Sequence, residues 1–437
     1  MLTLATISCA FAPPLLQHPA RRLAAAVASP RVAQPPLALA EPALLDGVGE
    51  LLSFADQSGN LAGALFPASL PPYLLFLYFI CQDVNGLSPT AKAGFSSLLG
   101  FVTATVVTSI VAVKSYGLTL ANVDWLHSGA EQLLSFTNVA NVIGLKLTLD
   151  AFSAAGGEKP APSSSEGSPV LPIIGGAAAV TVAATWAAAG GSLGEHSAYL
   201  GGVGNLPEGV WTLGFAEPAN ALSLPTWVIH LSSLGEWLVA MGLVWRLGAV
   251  TGNPRWKGLT WAMIPSHSSG VCACVYHLFY NAPSLQFVVT LQALLTLVGN
   301  CTLAFAAWRL AESNGWTFAL PTFGQAADAA DAAGSDAPTS AVAAAPVAAE
   351  SAAAASAVDA SGGDAKGLLV ILAWSIVGSY VVKYGETLLP LFADGLNDAD
   401  SVVAPVAATL LIVAASSFNV WKWQQRSQQE NDFGGII

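Results

Sequence analysis

Nine stretches of largely apolar residues recur along this chain of 437, each close to the length that crosses a lipid bilayer as a helix. About 20 such residues span the hydrocarbon core. The stretches are 66–83, 92–113, 123–150, 171–191, 224–246, 258–280, 284–309, 367–391 and 401–422, and the Ala/Gly-rich 171–191 is the weakest of them. Only 10% of the residues are charged and 54% are hydrophobic, whereas a soluble domain carries about a quarter charged residues to face water. The expected fold is therefore an all-α, polytopic transmembrane helical bundle of about nine spans, with the lipid bilayer as its surroundings. A short amphipathic surface helix is expected over 43–56.

The segments between the spans set the expected organisation. Residues 1–40 hold Arg21, Arg22 and Arg31, lack Asp and Glu, and are rich in Ala and Pro. Such leaders read as organelle transit peptides. Ser8-Cys9-Ala10-Phe11-Ala12-Pro13 resembles the cleavage region of bipartite plastid presequences, so a plastid address is preferred to a mitochondrial one. Residues 41–155 form an N-terminal membrane domain, 156–170 a Gly/Pro/Ser-rich linker, and 171–223 the weak span with its loop. A second membrane domain covers 224–312. Then come an acidic, disordered linker over 313–366, a helical hairpin over 367–424 and a tail over 425–437. Part of the net charge of −12 belongs to that acidic linker. No basic cluster points to nucleic acid.

Charge placement tests the count. If all nine stretches cross, Lys92, Lys146, Lys159, Arg246, Arg255, Lys257, Arg309, Lys366, Lys422 and Arg426 fall on one side, and Lys114 and Lys383 towards the other. The positive-inside rule expects that asymmetry, with the basic side facing the stroma. Without a crossing at 171–191 the basic residues before and after it would sit on opposite sides. A parallel three-helix repeat is also suggested. Ser69-Leu70-Pro71 and Ser223-Leu224-Pro225 each open a three-helix group whose third member carries a Leu pair followed by Asn138 or Asn300.

Ionisable groups inside spans are costly and mark function by default. His127, Glu131, Asn138 and Asn141 share one helical face of 123–150, His230 and Glu236 lie in 224–246, and His267 and His277 lie in 258–280. Together His127, Glu131, Asn138, His230, Glu236, His267 and His277 predict a polar pocket opening away from the stroma, with imidazoles at its mouth and carboxylates below. Interhelical hydrogen bonding is the competing role for each. Lys383 and Glu386 are spaced to pair. Cys272 and Cys274 flank one residue and point to different helix faces, so they read as small buried hydrophobes and no metal site is assigned to them.

From Leu222 to Trp308 the sequence resembles the hypothetical chloroplast reading frame forty-nine family, of unknown function. The carrying residues are Ala221-Leu222-Ser223-Leu224-Pro225-Thr226-Trp227, Glu236-Trp237, Val250-Thr251-Gly252-Asn253-Pro254, Trp256-Lys257-Gly258-Leu259 and Cys272-Ala273-Cys274-Val275-Tyr276-His277. Pro72-Tyr73-Leu74-Leu75-Phe76-Leu77-Tyr78 and Asn122-Val123-Asp124-Trp125-Leu126-His127 resemble a second plastid membrane family of unknown function. The resemblance implies a photosynthetic membrane, thylakoid or inner envelope, and assigns no catalytic or binding residue. Three roles follow as expectations. The first is a structural, assembly or cofactor-binding component beside other photosynthetic membrane proteins, with His ligating chlorophyll magnesium or haem iron. The second is a transporter or channel for a plastid metabolite or ion. The third is a lipid or isoprenoid enzyme using Glu131 or Glu236. No nucleophile motif, phosphate loop or dinucleotide fingerprint is present, so a non-enzymatic role is preferred and no catalytic residue is named.

Overall fold

A computed structural model describes residues 61–160, 172, 175–180, 182–183, 221–318, 370–385 and 403–430. The leader, the candidate surface helix at 43–56, most of the acidic linker, most of 171–191 and Glu386 lie outside the described residues. Every regular element within them is helical. These are α1 (Leu61–Ala68), α2 (Leu70–Ile80), α3 (Pro89–Val111), α4 (Asp124–Ala154), α5 (Leu224–Thr251), α6 (Arg255–Ala262), α7 (Ile264–Leu278), α8 (Gln286–Ser313), α9 (Val370–Gly385) and α10 (Val403–Gln429).

Among the described residues, five stretches are long and apolar enough to cross a membrane: Leu61–Ile80, Pro89–Tyr116, Leu224–Thr251, Gln286–Ser313 and Val403–Gln429. The α4 helix, at 31 residues, is about 46 Å long. It exceeds the hydrocarbon thickness, but its polar inner face lowers its hydropathy. The expected single span at 258–280 is broken instead into α6 and α7 around Met263. Pro265 has no N–H to offer the Trp261 carbonyl, so the helix cannot run straight through. Thr302 and Trp237 donate to the carbonyls of Ala262 and Met263 at the break.

Contacts along the helices give their directions. At one end of the bundle Asp124 meets Ser223 and Thr226, while at the other an added Cβ on Gly157 would strike Val250. The α4 and α5 helices are thus parallel neighbours. The α2 and α8 helices are parallel too. Ala62 packs with Val289 and Ala293 at their start, Asn300 donates to the Ser69 carbonyl at 2.9 Å, and Asn314 donates to Asn85 at their end. The α10 helix joins this direction, with Asn419 beside Met241 and Trp423 stacked near Trp245.

Close approach inside each three-helix group depends on glycine. A Cβ on Gly144 of α4 would collide with the backbone of Thr90 and Ala91 in α3, and one on Gly299 of α8 would lie 2.9 Å from the Ser266 amide nitrogen in α7. Small residues of this kind let membrane helices pack backbone to backbone. Ser88, which caps α3, also donates to the Gly144 carbonyl at 2.8 Å and locks the same crossing.

The basic residues Lys92, Lys146, Arg246, Lys257, Arg309 and Arg426 gather where α2, α4, α5, α8 and α10 finish. There Lys257 pairs with Glu430 at 2.8 Å and Lys92 with Asp83 at 2.5 Å. The opposite end holds the starts of α4 and α5 and the end of α7.

Candidate functional site

His127 lies in the first turn of α4, His230 in the second turn of α5 and His277 in the last turn of α7. Since α7 runs against the other two, all three reach the same level, at the end away from the basic residues. Their rings touch. The centroids are 5.0 Å apart for His127 and His230, 4.7 Å for His127 and His277, and 4.9 Å for His230 and His277. One nitrogen from each lies within 4.8 Å of the other two, and all three residues are buried.

The turns that bring them there are tied together. After α7 the backbone enters the left-handed region at two successive non-glycine residues, Tyr280 (φ 52°) and Asn281 (φ 56°). Asn tolerates that conformation, whereas Tyr adopts it at a cost. The Asn281 amide offsets this by donating to the Ala121 carbonyl and to Asn122 Oδ1, each at 2.9 Å. The strained turn thereby clamps the end of α7, with His277, against the start of α4, with His127.

His230 is oriented from the opposite side. Its Nδ1 is 3.0 Å from the Thr226 carbonyl. A carbonyl only accepts, so Nδ1 carries the proton and Nε2 keeps its lone pair. The Thr226 hydroxyl donates to Asp124 Oδ1 at 2.7 Å, and the Ser223 amide donates to the same oxygen at 3.0 Å. A carboxylate from α4 thus sits at the N-terminus of α5, where the helix dipole favours it. Lys383 of α9 is a charged neighbour of Asp124, is fully buried, and donates to the Leu222 carbonyl at 2.8 Å.

Two nitrogens in the trio lack such support. Nδ1 of His127 and Nδ1 of His277 make no hydrogen bond of good geometry, although Ala121 and Asn281 lie nearby. Glu131 stands beside the trio, its Oε1 3.8 Å from His127 Nε2. Farther along the α4–α5 seam, Ser135 reaches Ser233 at 3.0 Å and Ser232 at 3.4 Å. Asn138 then donates to the Ser233 carbonyl and adjoins Glu236. Glu236 is 2% exposed, and its Oε2 has no hydrogen-bond partner. His267 is not brought to this group. It lies ten residues before His277, about 15 Å along the helix, with Lys422 of α10 as its charged neighbour.

Of the seven residues expected from sequence, the structure places three in ring contact, Glu131 beside them, and Asn138 with Glu236 deeper in the same seam. Asp124, Thr226, Asn281 and Lys383 were not singled out as part of the site. The i, i+4 spacing of Thr226 and His230 was readable. The Asp124–Thr226 bond joins two helices about a hundred residues apart in sequence and leaves no local signal.

The fold and its contents define a multi-pass helical membrane protein with a buried imidazole cluster at one end. The chain belongs to the Ycf49-like family, joined here to a unit of a second family. Residues 221–309 match a family described as a protein of unknown function, DUF2499, and residues 62–150 match a second such family, DUF3593. A Ycf49-like protein from Synechocystis sp. is 52% identical over 89 residues, covering 20% of this chain and 86% of that protein. The uncharacterized protein ycf49 of Cyanophora paradoxa is 37% identical over 87 residues, covering 20% of this chain and 85% of that protein. Relatives in a cyanobacterium and a cyanelle-bearing alga suggest a plastid-related origin. No solved structure matches the chain. The trio is shared between the two matched units: His230 and His277 belong to 221–309, and His127 to 62–150.

Proposed function

We propose that this protein is a cofactor-binding or assembly component of a photosynthetic plastid membrane, thylakoid or inner envelope, and that the pocket around His127, His230 and His277 is its binding site. The observation that carries this reading is the convergence of three buried imidazoles from three helices and both family units. The basic ends of the helices support an orientation with the pocket facing away from the stroma.

Purification of the full chain from its native membrane tests this directly. The expected result is a bound ligand or stable co-purifying membrane subunits, lost on His230→Ala. A folded chain that carries no ligand and no partner would end the proposal.

A transport role is the second reading, favoured by one observation. The polar seam continues below the imidazoles through Ser135, Ser233, Asn138 and Glu236 towards the interior of the bundle. Reconstituted vesicles that pass no ion under an imposed gradient would remove it.

A further inference from the structure

We propose that His127, His230 and His277 together hold one first-row transition-metal ion of the zinc or copper class, with Glu131 beside it as a fourth donor or counter-charge. This deepens the binding-site reading above and rests on it. Imidazole nitrogen suits zinc, copper, iron and nickel, whereas magnesium and calcium take oxygen ligands. A tetrahedral ion with bonds near 2.0–2.1 Å sets its donors about 3.4 Å apart. The three nitrogens already lie within 4.8 Å of one another, so small rotations of the rings about χ1 and χ2 would close them on an ion.

The surroundings favour an ion over a macrocycle. A haem or chlorophyll needs a wide flat face in front of its axial ligand, and rings packed 4.7–5.0 Å apart leave none between them. The support around His230 is also of the kind metal ligands have. A ligating histidine nearly always donates its other N–H to a carbonyl or carboxylate, which fixes the tautomer and the ring. His230 donates to the Thr226 carbonyl, and Asp124 holds the Thr226 hydroxyl. Asp124 is therefore a positioning residue that acts through Thr226. With its side chain 21% exposed and its Oε1 3.8 Å from His127 Nε2, Glu131 places a carboxyl oxygen close to the ion.

The test uses the full chain in detergent, with metal content measured by mass spectrometry and cobalt(II) added after stripping with a chelator. The expected result is close to one equivalent of metal per chain and the visible d–d bands of a nitrogen-rich tetrahedral cobalt site. His127→Gln, His230→Gln and His277→Gln should each abolish both. Asp124→Asn should weaken cobalt affinity about 10–100-fold while keeping the stoichiometry. His267→Gln removes an equally buried imidazole outside the trio and should leave binding unchanged. If a trio variant does not fold, the wild-type cobalt spectrum together with Asp124→Asn decides. Metal retained in folded trio variants, or lost equally in His267→Gln, overturns the proposal. An organic cofactor bound His-dependently by a metal-free chain overturns the ion and leaves the binding-site reading standing. A chain with neither overturns both.

Discussion

Two pairs of parallel helices run through this bundle, and they are filled in opposite ways. The seam of α1 and α2 with α8 is closed by Ala62, Val289 and Ala293 at one end and by Phe76, Ile80, Leu303 and Ala307 beyond, with Asn300 to Ser69 and Asn314 to Asn85 as part-buried polar cross-links. The α4–α5 seam carries Asp124, Thr226, two of the three imidazoles, three serines, Asn138 and Glu236. In both pairs the helices run parallel. A membrane bundle therefore does not need that density of polar groups to hold parallel helices together. Dispersion and small residues suffice for α2–α8. The polar content of α4–α5 is an added cost, and function is the economical explanation for it.

The largest effect is expected from forcing the first seam to resemble the second. Ala293→Glu places an unpaired carboxylate in a fully buried alanine site and should cost on the order of 3 kcal/mol or more. In thermal unfolding in detergent it should melt far below wild type, and an unchanged midpoint would break the contrast. The converse experiment should cost little. Replacing His127, His230 and His277 together by Leu in metal-free protein should leave stability unchanged or raise it by about 1–2 kcal/mol, since buried polar clusters often exchange for apolar ones at no loss. A collapse of the fold would instead make the trio a structural element. Asn300→Leu removes the cross-link to Ser69 and should cost about 0.6 kcal/mol. That value would show how little a single part-buried hydrogen bond contributes to this seam.

The smallest effect lies at the basic end, outside both seams. Burial acts to raise the pKa of Glu430, but hydrogen bonds from Lys257 and Trp245 outweigh it and hold the carboxyl below its usual value. A depressed pKa stabilises the folded state above the ordinary glutamate range, and the gain is lost as pH falls through the folded value. Glu430→Gln should therefore lower the melting point slightly at pH 7, by an amount corresponding to less than about 1 kcal/mol. The difference from wild type should vanish in acid, and a difference that grew in acid would refute the assignment.

The membrane class, the helical architecture and the family were legible from sequence because each is written locally. Apolar runs have a length, and the family motifs are contiguous. Charge along the chain also showed which helix ends belong together. The sequence placed His127, His230 and His277 at similar depth, since depth follows from counting residues along a helix of known rise. Depth says nothing about azimuth or neighbours. That His267 stands apart while the other three imidazoles touch depends on how α4, α5 and α7 rotate and pack. Packing is set by non-local features, among them Gly144 and Gly299 admitting a neighbouring backbone and Asn281 clamping two turns together. The Asp124–Thr226–His230 connection belongs to the same category. The sequence alone determined that the chain is a helical membrane protein with polar groups among its apolar stretches, and only the tertiary structure decided which of those groups meet.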